Sequence, residues 1–127
     1  MKRLNSVCLI TPDVRRLRAF YQSVLDVAAE GDDVFTTFST PGAVLTLFST
    51  QGLEAMVPGL MAGAGAGNCF LEFEVEDVDK DYERLQALNV TVVKPPTTQP
   101  WGVRSVWFRD SDGNLVNFYA RQVTGTF

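Results

Sequence analysis

An α+β fold made of two copies of one βαβββ unit is what this sequence predicts, and three observations predict it. An aspartate-led helical pattern occurs twice, half the chain apart, at Asp13-Val14 and at Asp77-Val78. Each pattern follows an apolar, strand-like segment, residues 4–10 and 69–75. Each leads on to a hairpin whose turn holds a glycine, Pro41-Gly42 in the first half and Asp112-Gly113 in the second. An internal repeat of this kind outranks any single local signal.

The elements follow in order. Val14, Leu17, Tyr21 and Val24 recur at helical spacing and give the first helix one apolar face. Val78, Tyr82, Leu85 and Leu88 do the same for the second. Asp13 and Asp77 are placed to cap these helices, because a short carboxylate accepts the free amides of a first turn. The first hairpin is expected over residues 34–39 and 43–49, the second over 104–109 and 114–120. Residues 91–93 read as a short strand before the second hairpin, and 28–30 as its weaker counterpart. Residues 50–68 read as a linker, flexible at its Gly-Ala-Gly-Ala-Gly run. Leu53, Met56, Val57, Leu60 and Met61 have helical spacing there, but Pro58-Gly59 stops any long helix. The expected organisation is one domain, 1–127, with module 1 at 1–49, the linker at 50–68 and module 2 at 69–127.

Composition narrows the function. The chain has 127 residues, 46% hydrophobic and 20% charged, which suits one globular domain with a core. No apolar run approaches the roughly 18 residues that span a membrane, and the apolar stretch after Met1-Lys2-Arg3 is too short for a secretion signal. A cytoplasmic location is the expectation. The net charge of −4 without a basic cluster argues against nucleic acid. Histidine is absent altogether, which removes it as base, triad member and metal ligand. Cys8 and Cys69 are expected as two buried free thiols.

The segment Trp101–Tyr119, WGVRSVWFRDSDGNLVNFY, resembles the closing hairpin of the vicinal oxygen chelate superfamily, the fold of glyoxalases, bleomycin-resistance proteins and extradiol dioxygenases. TPDVRRLRAFYQSVLDV resembles its first helix and FLEFEVEDVDKDYERLQALNV its second strand-helix unit. Two positions depart from the family pattern: Ser111 stands for a proline of the turn and Asp26 for a glycine after the helix. The resemblance implies a curved mixed sheet forming a cup, with the helices on its outer face. It also implies where the family's metal ligands belong. On the first strand of each unit the ligand lies seven residues before the capping aspartate, which gives Ser6 and Phe70. On the last strand it lies four residues past the turn glycine, which gives Thr46 and Asn117. Divalent metals take carboxylates, imidazoles or thiolates. These four positions offer none, so the expectation is a metal-free member with no cofactor.

Strand alternation says what lines the cup instead. Cys69, Leu71, Phe73 and Val75 should pack under the helices, leaving Phe70 and Glu72 on the other face. Cys8 and Ile10 join Ser6; Val44 and Phe48 join Thr46; Leu115 and Tyr119 join Asn117; Ser105 and Trp107 complete the lining. The candidate ligand-binding residues are Phe48, Phe70, Glu72, Trp101, Trp107, Asn117 and Tyr119. Glu72 reads three ways: partner of a cationic ligand group, general base, or solvated carboxylate. Trp101 reads as a groove wall or as a loop anchor. The Trp101-Gly102 pair also resembles the bleomycin-resistance branch, which holds drug without a catalytic metal in grooves between two subunits.

Three functions remain in view. The first is a metal-independent homodimer that binds a small aromatic or amphipathic molecule, an antibiotic among the options. The second is a metal-independent lyase, isomerase or hydrolase with Glu72 as catalytic base. The third is a protein-association module whose cup is plugged by Phe70.

Overall fold

The computed structural model describes residues 2, 4–65 and 69–122. The chain divides into two compact units, Met1–Ala66 and Gly67–Phe127. The first contains β1 (Ser6–Thr11), α1 (Val14–Leu25), β2 (Glu30–Gly31), β3 (Phe35–Ser39), β4 (Val44–Ser49) and α2 (Thr50–Met56). The second contains β5 (Phe70–Glu74), α3 (Val78–Ala87), β6 (Val92–Thr98), β7 (Val103–Arg109) and β8 (Leu115–Arg121). The strand orders are β1-β4-β3-β2 and β5-β8-β7-β6, so the units share one plan. In each, the first strand crosses over to pair parallel with the last, and the remaining pairs are antiparallel. The expected α+β architecture of two βαβββ units is therefore present, the described residues forming two open four-stranded mixed sheets with three helices.

The helices form where the apolar spacing and the caps coincide. Val14, Leu17, Tyr21 and Val24 are all buried on α1. Asp13 Oδ1 accepts the Arg16 amide at 3.0 Å, and Asp77 Oδ1 accepts that of Lys80 at 3.2 Å. Losing a cap of this type costs about 1 kcal/mol, so Asp13→Ala and Asp77→Ala should each lower the unfolding free energy by that amount in a urea titration. α1 stops at Asp26, which takes the left-handed conformation (φ 54°) usual for the family's glycine and returns its amide to the Gln22 carbonyl. On α3, Val78 and Leu85 are buried, but Leu88 is exposed because it lies past the last turn.

The cores are built on the helix side of each sheet. In the first unit Leu17, Tyr21, Phe38 and Leu47 are fully enclosed. In the second, Phe118 packs edge-on against both Phe108 and Phe73, with ring centroids 4.9 Å and 5.7 Å away. An Arg-Asp clamp ties helix to sheet in the second unit. Arg104 reaches Asp79 with two nitrogens, at 2.9 Å and 2.8 Å, and gives a third bond to Thr98. Those hydrogen bonds hold the Asp79 carboxyl below its ordinary 3.8. A carboxyl lowered on folding stabilises the fold in full above its ordinary pKa, and the contribution is lost as pH falls through the lowered value. Asp79→Asn should therefore flatten the acid limb of the stability curve below about pH 4 and leave the neutral slope unchanged. In the first unit, the amides of Phe35 and Val34 lower Asp32 in the same direction.

The second hairpin turns on Asp110. Its buried carboxylate accepts the Asp112 and Asn114 amides through Oδ1 and the Asn114 side-chain amide through Oδ2, at 2.8–2.9 Å. Gly113 closes the turn at φ 88°, donating to the Asp110 carbonyl. Ser111, where the family pattern has proline, occupies the second position of this turn, and its hydroxyl is buried without a partner. Proline suits that position and restricts the unfolded chain. Ser111→Pro should therefore stabilise the protein by about 0.5–1 kcal/mol, measured as a raised urea midpoint.

Several expectations need correcting. The strand expected at 91–93 runs as far as Thr98, through Pro95-Pro96. It is an edge strand, where a missing amide need not break the ladder, and its pairing shifts register twice. The counterpart expected at 28–30 is the two residues Glu30–Gly31. Gly31 (φ 119°) lies so near the Phe35 carbonyl that a Cβ would collide with it. The expected linker carries α2, capped by Ser49 and ended just before Pro58. Residues 66–68 of that segment, and 123–127 of module 2, lie outside the described residues. Both cysteines are exposed, not buried. Cys8 sits on the sheet face away from α1, and Cys69 precedes β5 and does not join Leu71 and Phe73 under α3.

Candidate functional site

Each unit has one sheet face packed on its helix and one face turned away. On β5 the alternation is plain: Leu71 and Phe73 are half-buried, while Phe70, Glu72 and Glu74 are exposed. The ladder extends this face across the second sheet. Glu72 lies beside Asn117, Asn117 beside Trp107, and Trp107 beside Lys94. The next row is Glu74, Tyr119, Ser105 and Thr97, and the row on the other side is Phe70, Leu115 and Arg109. The structure thus brings Phe70, Glu72, Trp107, Asn117 and Tyr119 onto one face.

At the centre of that face Asn117 donates from Nδ2 to Glu72 Oε1 at 3.0 Å. A carboxylate can only accept, so this bond fixes which end of the amide is nitrogen. The opposite end, Oδ1, is then an acceptor, and it is buried without a hydrogen-bond partner. Asn117 itself is only 3% exposed.

Phe70 and Trp107 stand on β5 and β7, the two strands that flank β8. Strands two places apart are separated by about 10 Å, yet these rings pack edge to face with centroids 4.9 Å apart. They lean toward each other and meet above the strand that carries Asn117. Phe70 remains 45% exposed, packed on one side only. The face therefore offers aromatic surface beside a hydrogen-bonding amide and carboxylate.

The other candidates stand apart from this group. Trp101 lies on the turn between β6 and β7 and is 73% exposed, so it is not a loop anchor within its unit. Phe48 belongs to the first unit, half-buried, with Phe35 edge-on at 5.3 Å and Gly52 of α2 against its ring. The equivalent row of that unit is Cys8, Thr46, Thr37 and Glu30. Cys8-Thr46 in the first sheet thus matches Glu72-Asn117 in the second. Sequence reasoning missed Lys94 and Arg109 on the face; the prolines of β6 hide the alternation that would have placed Lys94.

The residues at the four family metal positions do not fit a divalent ion. Ser6 and Thr46 offer hydroxyls, Phe70 offers no donor atom, and Asn117 has its amide nitrogen turned to Glu72. Among the described residues no three His, Cys, Asp or Glu side chains gather closely enough to hold a metal. No helix among them is long and apolar enough to cross a membrane.

Comparison with known proteins agrees with the topology. The uncharacterized protein YraH of Bacillus subtilis (strain 168) is 27% identical over 124 residues, covering 92% of this chain and 97% of YraH. The crystal structure of a glyoxalase/bleomycin resistance protein/dioxygenase from Nocardioides is 26% identical, with a TM-score of 0.77 over 96% of this chain and 85% of that one. A glyoxalase/bleomycin resistance protein/dioxygenase family enzyme from Burkholderia phytofirmans PsJN shares the fold, with a TM-score of 0.83 at 20% identity over 94% of this chain and 99% of that one. The sequence pattern of one family matches residues 3–118, and by that match the chain belongs to the Glyoxalase/Bleomycin resistance protein/Dioxygenase superfamily.

Proposed function

We propose that this chain is a metal-independent small-molecule binding protein that holds an aromatic or amphipathic ligand, an antibiotic among the options, against the open face of its second sheet. The observation that carries this reading is the Phe70–Trp107 ring pair on the same sheet face as the Asn117–Glu72 pair. Ligand sites are commonly apolar and aromatic with a few polar groups that set orientation. Here the rings supply stacking surface, and Asn117 and Glu72 supply direction. Tyr119 extends the surface along β8, and in this reading the protein works as a homodimer in the cytoplasm, with Phe48 and Trp101 as further candidate ligand contacts.

A thermal-shift screen over planar antibiotics and aromatic metabolites tests the reading, because a ligand that binds only the folded form raises its melting temperature. A hit should lose its effect in Trp107→Ala. A screen in which no planar compound moves the transition would leave the association module, with Phe70 as plug, as the better account.

A second reading has one observation in its favour. The bond from Asn117 holds the Glu72 carboxylate in a set direction, as a general base requires. In that reading the chain is a metal-independent lyase, isomerase or hydrolase. Once a substrate is found, full turnover by Glu72→Gln would rule it out.

A further inference from the structure

We infer that the open face of the second unit recognises a planar, positively charged hydrogen-bond donor, such as an amidinium, a guanidinium or a protonated nitrogen heterocycle, through Asn117 Oδ1 and the Glu72 carboxylate. The inference rests on the binding reading above and names the chemical class of its ligand.

Three observations carry it. The first is the polarity of the central pair. Asn117 Nδ2 is committed to Glu72 Oε1, so the amide presents only its oxygen, and that oxygen is buried with no partner. A buried acceptor left unmade carries the uncompensated cost of its desolvation. A ligand N–H delivered to it recovers that cost, and a ligand oxygen does not.

The second is charge. Among the described residues no cation pairs with Glu72. Lys94 shares its row but lies three strands away, about 14 Å by strand spacing and beyond the screening length of about 8 Å. Arg109 turns to the Gly113 carbonyl, and Arg121 lies 3.8 Å from Glu74. Of the two acidic groups on β5's open face, only Glu72 lacks a cation.

The third is shape. Trp107 neighbours Asn117 in the ladder and packs edge to face with Phe70, so a group that reaches Asn117 does so beside aromatic surface. Flat cations do so favourably, because ring faces attract positive charge. Phe70, exposed on one side, can swing to admit them on the fast timescale of surface side chains.

A metal at the family's positions would have read ligand oxygens, the acceptors. This face presents acceptors itself and so reads the opposite kind of group. Substrates that bind by chelating a metal through paired oxygens are the class it should refuse.

Three probes with one ring system isolate the point: naphthalene-2-carboxamidine, naphthalene-2-carboxamide and naphthalene-2-carboxylate, titrated calorimetrically into the full chain. The amidine should bind about tenfold tighter than the amide, consistent with charge-assisted bonds, and the carboxylate weakest. In Glu72→Gln, at an exposed position, the amidine's advantage over the amide should fall to about twofold or less, since only the charge has been removed. In Asn117→Leu, both amidine and amide should weaken, with folding checked by the melting transition. The inference is overturned if the carboxylate binds tightest or if Glu72→Gln leaves the preference intact. If planar compounds bind but none of the three probes does, the ligand class is wrong while the binding reading stands. If no planar compound binds at all, both fall.

Discussion

Asp110→Ala should melt about 12 °C below the parent protein. The magnitude follows from what the carboxylate does. It accepts three hydrogen bonds within the turn, two from backbone amides and one from Asn114. It is also buried, and its three bonds are part-buried, so the donors it leaves behind are only partly open to water. Bonds to a charged acceptor are worth about 1.5–3 kcal/mol each, and the three act as one unit, so a net loss of about 3 kcal/mol is expected. At about 4 °C per kcal/mol for a chain of this size, that becomes the stated shift. Asp110→Asn keeps a neutral acceptor for the backbone amides and should lose roughly half as much. The consequence reaches the site, because this turn sets the register of β7 on β8 that places Trp107 beside Asn117.

Trp107→Ala should lower the affinity for any ligand found by the screen by about 30-fold, equivalent to about 2 kcal/mol. Trp107 is the one large ring on this face that both packs on Phe70 and neighbours Asn117 in the ladder. Removing it takes away stacking surface and uncovers the amide to water, so the ligand's hydrogen bond must then compete with solvent. Trp107→Phe keeps an aromatic face and should lose about fivefold or less. Calorimetric titration of both variants, alongside their melting temperatures, separates lost binding from lost folding. Equal affinity in Trp107→Ala and the parent would remove the ring pair from the account.

The parts of the fold that were legible in the sequence are those with a local physical cause. Asp13 and Asp77 announce helices because capping chemistry needs a short carboxylate there, and both caps are made. Gly113 announces a turn because the chain needs positive φ, and it has it. The second copy of each signal removed most of the ambiguity. What stayed hidden depends on neighbours in space. β6 runs past the expected 91–93 through Pro95-Pro96, which only its edge position makes harmless. Alternation placed Cys8 on the face with Ser6, where the ladder sets it beside Thr46, but the thiol expected to be buried there is exposed, because the sequence does not specify what covers that face. Counting from the caps and turns placed Asn117 and Phe70 on the same face. It did not show that β8 runs beside β5, and so neither the Asn117–Glu72 bond nor the meeting of Phe70 with Trp107 was legible. Both depend on the parallel crossover pairing of β5 with β8, which brings Glu72 beside Asn117, 45 residues on, and leaves only β8 between Phe70 and β7.

The central claim is that ligand binding on this face needs no metal. The most direct test is to titrate a ligand from the screen into protein stripped with a chelator, then repeat the titration with added zinc, nickel, manganese or iron(II), measuring metal content in each sample. The account predicts one affinity throughout and no ion retained in proportion to sites. A tightly held divalent ion, one per site, with binding that disappears on chelation and returns with the metal, would contradict it.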